Sequence, residues 1–237
     1  MSVVTTVAQP VIVTTRKSPL ENQSMLSRSL ALGALLLTST VAGAQSRPAA
    51  AATRGNAPAV QGADTRSTWT IDATHSELNF RIRHLLGRVN GTFTKWGGTV
   101  AIDSANWANS SVNVEIQTAS IDTREPKRDQ HLRSPDFFAA DSFPTITFRS
   151  TTVERQGNDL RVMGNLTIRG RTQPATLVGK FEGQGKDPWG NDRVAFTATT
   201  TIDRQKFGVA WNSVAETGAM LGDEVQVDIA IEAVRQK

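Results

Sequence analysis

The 237-residue sequence contains no cysteine, no tyrosine and only three histidines. The first absence excludes disulfides, thiolate metal centres, cysteine nucleophiles and a lipidated N-terminal cysteine. The histidines, His75, His84 and His131, leave no pair at the i, i+4 spacing of a helical zinc motif. Also missing are a Gly-rich phosphate loop opening a helix, a dinucleotide fingerprint and a Gly-x-Ser-x-Gly nucleophile elbow. On these grounds no catalytic residue, no metal site and no cofactor is expected. Asp72, His75 and Ser76 resemble a triad in composition only, because nothing supplies the elbow or an oxyanion hole. They read more simply as a turn at a strand end, with Asp72 and Thr74 satisfying backbone donors.

An excess of positive charge in the folded region is lacking too. The chain carries 26 basic and 22 acidic side chains. Six of the former and two of the latter fall in residues 1–66, so residues 67–237 hold twenty of each sign. A neutral domain has no surplus of cations to drive the counterion release that dominates nucleic-acid binding. No nucleic-acid partner is expected.

Long hydrophobic runs are likewise absent. The longest, Leu30 to Leu37, follows Met25-Leu-Ser-Arg28 and precedes the small-residue ending Ala42-Gly43-Ala44. A positive start, a short apolar stretch and a small-x-small ending predict a secretory signal peptide over residues 1–44, cleaved after Ala44. It is shorter than the ~20 residues of a spanning helix, so no stable membrane anchor is expected after cleavage. Residues 1–24 fit such a leader poorly and read as an extension upstream of a start at Met25. Residues 45–66, with seven Ala, two Pro and two Gly, read as a flexible linker. Export then predicts a periplasmic or secreted protein.

What the sequence does have, from residue 67 to 237, is alternation. Leu78, Phe80, Ile82 and His84 share one face, with Glu77, Asn79, Arg81 and Arg83 on the other. The same period of two runs through Val112, Val114 and Ile116, through Ile146 and Phe148, and through Leu160, Val162, Gly164, Leu166 and Ile168. It returns in Ala175–Phe181, Val194–Thr200 and Val225–Ile231. Turn chemistry separates the runs at Asn90-Gly91, Gln156–Asp159, Arg169–Arg171 and the long Gly183–Gly190. The fold class is all-β: about eight antiparallel strands in a meander, stacked as a sandwich or closed as a barrel.

Residues 122–144 break the rhythm, with three prolines and no alternation. Ser134-Pro135 reads as a helix start, and a short helical excursion is expected around residues 128–140. Arg124, Lys127, Arg128, His131 and Arg133 make the densest basic cluster, interleaved with Glu125 and Asp129. It is either a solvated loop or a ring of cations at a cavity mouth that would pair with phosphate or carboxylate. His84, on an apolar face, is either a hydrogen-bonded core histidine or a polar contact for a ligand headgroup.

Taken in order, Trp69-Thr-Ile-Asp72, His75-Ser76, Phe80, Arg83-His84-Leu85, Gly91-Thr-Phe93, His131–Phe138, Phe143–Phe148, Gly164–Gly170 and Asp203-Arg204 to Phe207-Gly208 resemble the YceI-like family. The resemblance implies a lipocalin-like antiparallel eight-stranded barrel that holds a polyisoprenoid or other long-chain amphiphile, for storage or transport, in proteins that pair as homodimers. It carries no uniform catalytic set. Strand facing then places Phe80, Ile82, His84, Phe93, Ile116, Phe148, Leu166 and Ile168 on the lumen wall as ligand-binding residues, with Phe137, Phe138 and Phe143 near the entrance. An enzyme acting on an apolar substrate, with His84 or His131 as acid and base, is the competing reading. A module whose core is filled by its own side chains is the third.

Overall fold

Large apolar residues alternating with polar ones set the strands, and breaks lying side by side interrupt three neighbouring ones. The structure, a computed structural model, describes residues 65–237 apart from 213, 216 and 217. The leader and all but the last two residues of the expected linker lie outside the described residues. Arg66 already belongs to the first strand.

The order is β1 (Arg66–Ile71), β2 (Glu77–His84), β3 (Gly87–Phe93), β4 (Trp96–Asp103), β5 (Ser111–Gln117), β6 (Ile121–Asp122), helix α1 (Pro126–Arg133), β7 (Thr145–Gln156), β8 (Asp159–Ile168), β9 (Arg171–Lys186), β10 (Asp192–Asp203), a minimal ladder of β11 (Val214–Ala215) with β12 (Gly218–Ala219), and β13 (Leu221–Arg235). Between β1 and β2 the chain makes a 3-10 turn, held by Thr74 N–H donating to the Asp72 carboxylate at 3.1 Å. Thr94-Lys95 separates β3 from β4, and a second 3-10 turn separates β5 from β6. Each of these pairs acts as one broken strand.

All ladder pairings are antiparallel. β13 runs beside β10 on one side. On the other it meets β2, from Leu221↔His84 to Ala230↔Glu77, and then β1, from Ala233↔Ile71 to Trp69↔Arg235. The sheet therefore closes on itself, and the eight strands, three of them broken, form an antiparallel barrel. Closure pairs most of the edge that an open sheet would expose, leaving residues 87–91 of β3 and residues 171–177 of β9 laddered on one side only.

The expected helix is displaced. It begins at Pro126, whose fixed φ suits the first turn, with the Glu125 carboxylate accepting from Lys127 N–H at 3.3 Å. Ser134 ends it in an extended conformation, as the residue before Pro135 must. Residues 135–138 form turns. Two of the expected turns are corrected as well. Asn90-Gly91 lies inside β3, because a Cβ on Gly91 would sit 2.4 Å from the Phe80 ring. The actual hairpin turn is Leu85-Leu86. β9 likewise continues through Gly183 and Gly185, and the turn spans residues 187–191, where Asp187 accepts the N–H groups of Trp189 and Asn191.

Packing forms three clusters, the smallest of them Phe148, Val153 and Val162. Trp69, Ile71, Val100, Ile102, Val194 and Ala233 form a core at the end where β1 pairs with the last residues of β13. Ile121, Phe137, Ile146, Phe207 and Val209 belong to a second core toward the end that carries α1.

Candidate ligand-binding lumen

Inward alternation does not fill this barrel. A cavity of about 560 Å³ runs inside it, lined by residues of nearly every strand. That volume falls in the range of small-molecule sites, about 300–1,000 Å³. β2 contributes Leu78, Phe80, Ile82 and His84, β5 contributes Val112, Val114 and Ile116, and β13 contributes Val225, Val227, Ile229 and Ile231. The wall is overwhelmingly hydrocarbon.

One end is plugged. Trp107 stacks edgewise on Phe181, with centroids 5.9 Å apart, and Phe181 on Phe196 at 5.5 Å. The Arg155 guanidinium lies 4.3 Å above the Trp107 ring and 4.6 Å from Phe181, a cation over two aromatic faces. Around this plug the strand ends are tied by charge. Arg193 binds Asp187 at 3.0 Å, Asp72 at 2.9 Å and also Glu232. The Asn191 amide, with Arg193 next, holds the Asp187 carboxyl far below the usual carboxylate range. The Thr74 hydroxyl and His75 do the same for Asp72. Asp103, which accepts from Asn109 and from the N–H groups of Asn106 and Ala105, is lowered to about 2. Ser76 exchanges hydrogen bonds with the Glu232 backbone, so Asp72, His75 and Ser76 form no triad.

The other end opens. Lys127 and Arg128 are exposed and yet line the cavity, so the lumen reaches solvent beside α1. Arg128 is braced on Thr123, donating to its hydroxyl at 2.7 Å and its carbonyl at 2.8 Å. Asp129 is buried and accepts from the Thr123 N–H at 2.9 Å, fixing the helix start. His131 also lines the cavity, packed edgewise on Phe137 at 5.0 Å and Trp211 at 5.1 Å, with Nε2 2.9 Å from Asp136. Arg204, buried, donates to the carbonyls of Gly222, Val209 and Trp211 and to Asp223, and so holds the 204–212 loop against β13. His84 sits half-buried at this rim and makes no side-chain hydrogen bond among the described residues.

Of the eleven residues expected to bind ligand, ten stand on the cavity wall: Phe80, Ile82, His84, Phe93, Ile116, Phe137, Phe138, Phe148, Leu166 and Ile168. Phe143 does not. Its N–H donates to Ala139, its carbonyl accepts from Thr118, and its ring packs where a Cβ on Gly170 would come within 2.8 Å. Sequence reasoning missed Trp96, Trp107, Arg204 and Trp211, which also line the cavity. Trp107, Arg204 and Trp211 lie outside the alternating runs, and only the run Asp203-Arg204 to Phe207-Gly208 offered a signal. Among the described residues no group of three or more His, Asp or Glu is arranged to hold a metal ion.

The YceI-like domain model matches residues 69–233. The chain belongs to the YceI-like family. Protein YceI of Salmonella arizonae is 41% identical over 167 residues, covering 70% of this chain and 85% of that protein. Among solved YceI-like structures, that of Campylobacter jejuni is 28% identical with a TM-score of 0.56, over 63% of this chain and 86% of its own. Burkholderia cenocepacia BcnA superposes with a TM-score of 0.61 at 25% identity, over 68% of this chain and 98% of its own. A polyisoprenoid binding domain from Saccharophagus degradans shares the fold at 14% identity and a TM-score of 0.52, over 71% of this chain and 98% of its own.

Proposed function

We propose that this YceI-like chain is a periplasmic or secreted protein that holds a polyisoprenoid or similar long-chain amphiphile in its lumen, for storage or transport and without turnover. The observation that carries the reading is the lumen itself: plugged by Trp107, Phe181 and Phe196, walled by hydrocarbon, and cationic only at the mouth. A tail fits the wall, and Lys127, Arg128 and His84 meet a polar or anionic head. Each buried methylene contributes ~0.8 kcal/mol gross, so an isoprene unit is worth about 3–4 kcal/mol before chain ordering is subtracted. The polyisoprenoid-binding structural relative and the export signal read from residues 25–44 support the same assignment.

His131 beside Asp136 is the strongest acid–base pair at the mouth. Its ring is clamped between Phe137 and Trp211. That clamp suits a gatepost better than a group that must reach a reacting atom.

Mass spectrometry of organic extracts from natively purified protein tests the assignment. A stoichiometric prenyl or acyl chain, unchanged after prolonged incubation, is the expected result. Repeatedly empty protein that also fails to take up added polyprenol would refute it, and chemical conversion of the extracted chain would favour an enzyme.

A further inference from the structure

A carrier must collect its cargo from somewhere, and the turn between β2 and β3 is built against local preference. A two-residue hairpin turn favours Gly, Asn or Asp, yet here it is Leu85-Leu86. Leu85 is held at φ 52°, a left-handed conformation that favours glycine. Leu86 is 96% exposed, the largest exposure of any big apolar side chain among the described residues. Such a conflict between local rule and observed residue is the mark of a functional position.

The tip belongs to the lumen's rim. Leu85 N–H donates to the Met220 carbonyl at 2.8 Å, and both Met220 and His84 line the cavity. Flanking it are Arg83 and Arg88, both exposed and paired with each other across the hairpin. Residues 80–88 contain no acid. The nearest acid along β13, Asp223, is turned to Arg204 and Gln205. An apolar point between two arginines is complementary to an anionic bilayer: the leucine enters the acyl boundary and the cations meet headgroup phosphates.

We propose that the Arg83–Arg88 hairpin tip docks the barrel mouth onto an anionic lipid surface, with Leu86 inserted. The inference rests on the lumen carrying a membrane-derived lipid. Docking through one leucine and two arginines is weak and reversible, as repeated collection or delivery requires.

Because the chain has no cysteine, single labels report position without background. Leu86→Cys and, at the plugged end, Asn158→Cys are each coupled to an environment-sensitive fluorophore in the full chain. They are mixed with vesicles of phosphatidylglycerol and phosphatidylcholine, or of phosphatidylcholine alone. The expected result is a blue shift at 86, none at 158, none with neutral vesicles, and reversal at high salt. In co-sedimentation of unlabelled protein, Leu86→Asp and the pair Arg83→Glu with Arg88→Glu each weaken vesicle binding about tenfold. An unshifted label at 86, an equal shift at 158, or undiminished binding by Leu86→Asp overturns the proposal. So does a shift that needs membrane proteins in the vesicles, which would point to a protein dock. Lipid extracted from the same samples separates the two ideas: loaded protein with an unshifted tip sinks docking alone, and an inserted tip on protein that never loads sinks carriage.

Discussion

The two ends of this barrel are built from different materials. At the plugged end, rings stack on rings, one guanidinium caps them, and Arg193 gathers three carboxylates from different strand ends. At the mouth the barrel is finished by a helix, turns and a loop, held mainly through backbone carbonyls: Arg169 binds those of Phe137 and Gly208, and Arg204 those of Gly222, Val209 and Trp211. Ion pairing is concentrated at the plugged end. On the proposed function, stability belongs to the plugged end and ligand passage to the mouth, and this division makes quantitative demands.

The largest effect belongs to the plugged end. Trp69 is 4% exposed in the core shared with Ile71, Val194 and Ala233, and Trp69→Ala should cost about 3–5 kcal/mol in denaturant unfolding. A smaller loss would mean that the core there is less tightly packed than the contrast requires. Gly91→Ala, on β3, forces a methyl into the Phe80 ring and against Thr123 and should cost about 1–3 kcal/mol, partly relieved by combining it with Phe80→Leu.

Acid should loosen the plugged end first. Asp103 is held near 2 against an ordinary 3.8, so the folded state binds this proton less readily than the unfolded chain. Its contribution is full above about pH 4 and fades as pH falls toward 2. Asp72 and Asp187 act in the same direction. Thermal melts through this window should show a drop that Asp103→Asn partly flattens, and hydrogen exchange should locate the early opening at residues 103–110.

Ile116→Trp sharpens the comparison at the lumen. The indole enters empty volume rather than a packed core, so unfolding should shift by only about 1 kcal/mol while chain loading is lost. Retained loading would place the lipid elsewhere. The smallest effect on stability belongs to Leu86→Asp at the exposed tip, within about 0.5 kcal/mol in the same unfolding assay.

Legibility in the sequence followed the same division. Where strands are regular, a period of two placed Leu78, Phe80, Ile82 and His84 on one face, and all four do face the lumen. The meander and its long excursion were equally readable. The departures cluster where a residue answers to a distant neighbour. Gly91 looked like half of a turn but is small because the Phe80 ring crosses it. Leu85-Leu86 carries no turn chemistry and is the turn. Ser134-Pro135 has the composition of a helix start, yet Pro126 with Glu125 claims that role and leaves Ser134 as the stop. Trp211 and Arg204 come from a loop without periodicity, so only three-dimensional closure brings them to the mouth.

The seams of the barrel are not all complete. β3 is laddered to β2 along its whole length, but on its other side only Thr92 and Phe93 find partners, in β6. Along Gly87–Gly91 that outer edge meets no strand among the described residues. A second such stretch separates β9 from β10, whose ladder ends at Thr199↔Val178 although β9 begins at Arg171 and β10 runs to Asp203. Along both stretches the strands part without surrendering ladder hydrogen bonds, so breathing of the barrel wall costs least there.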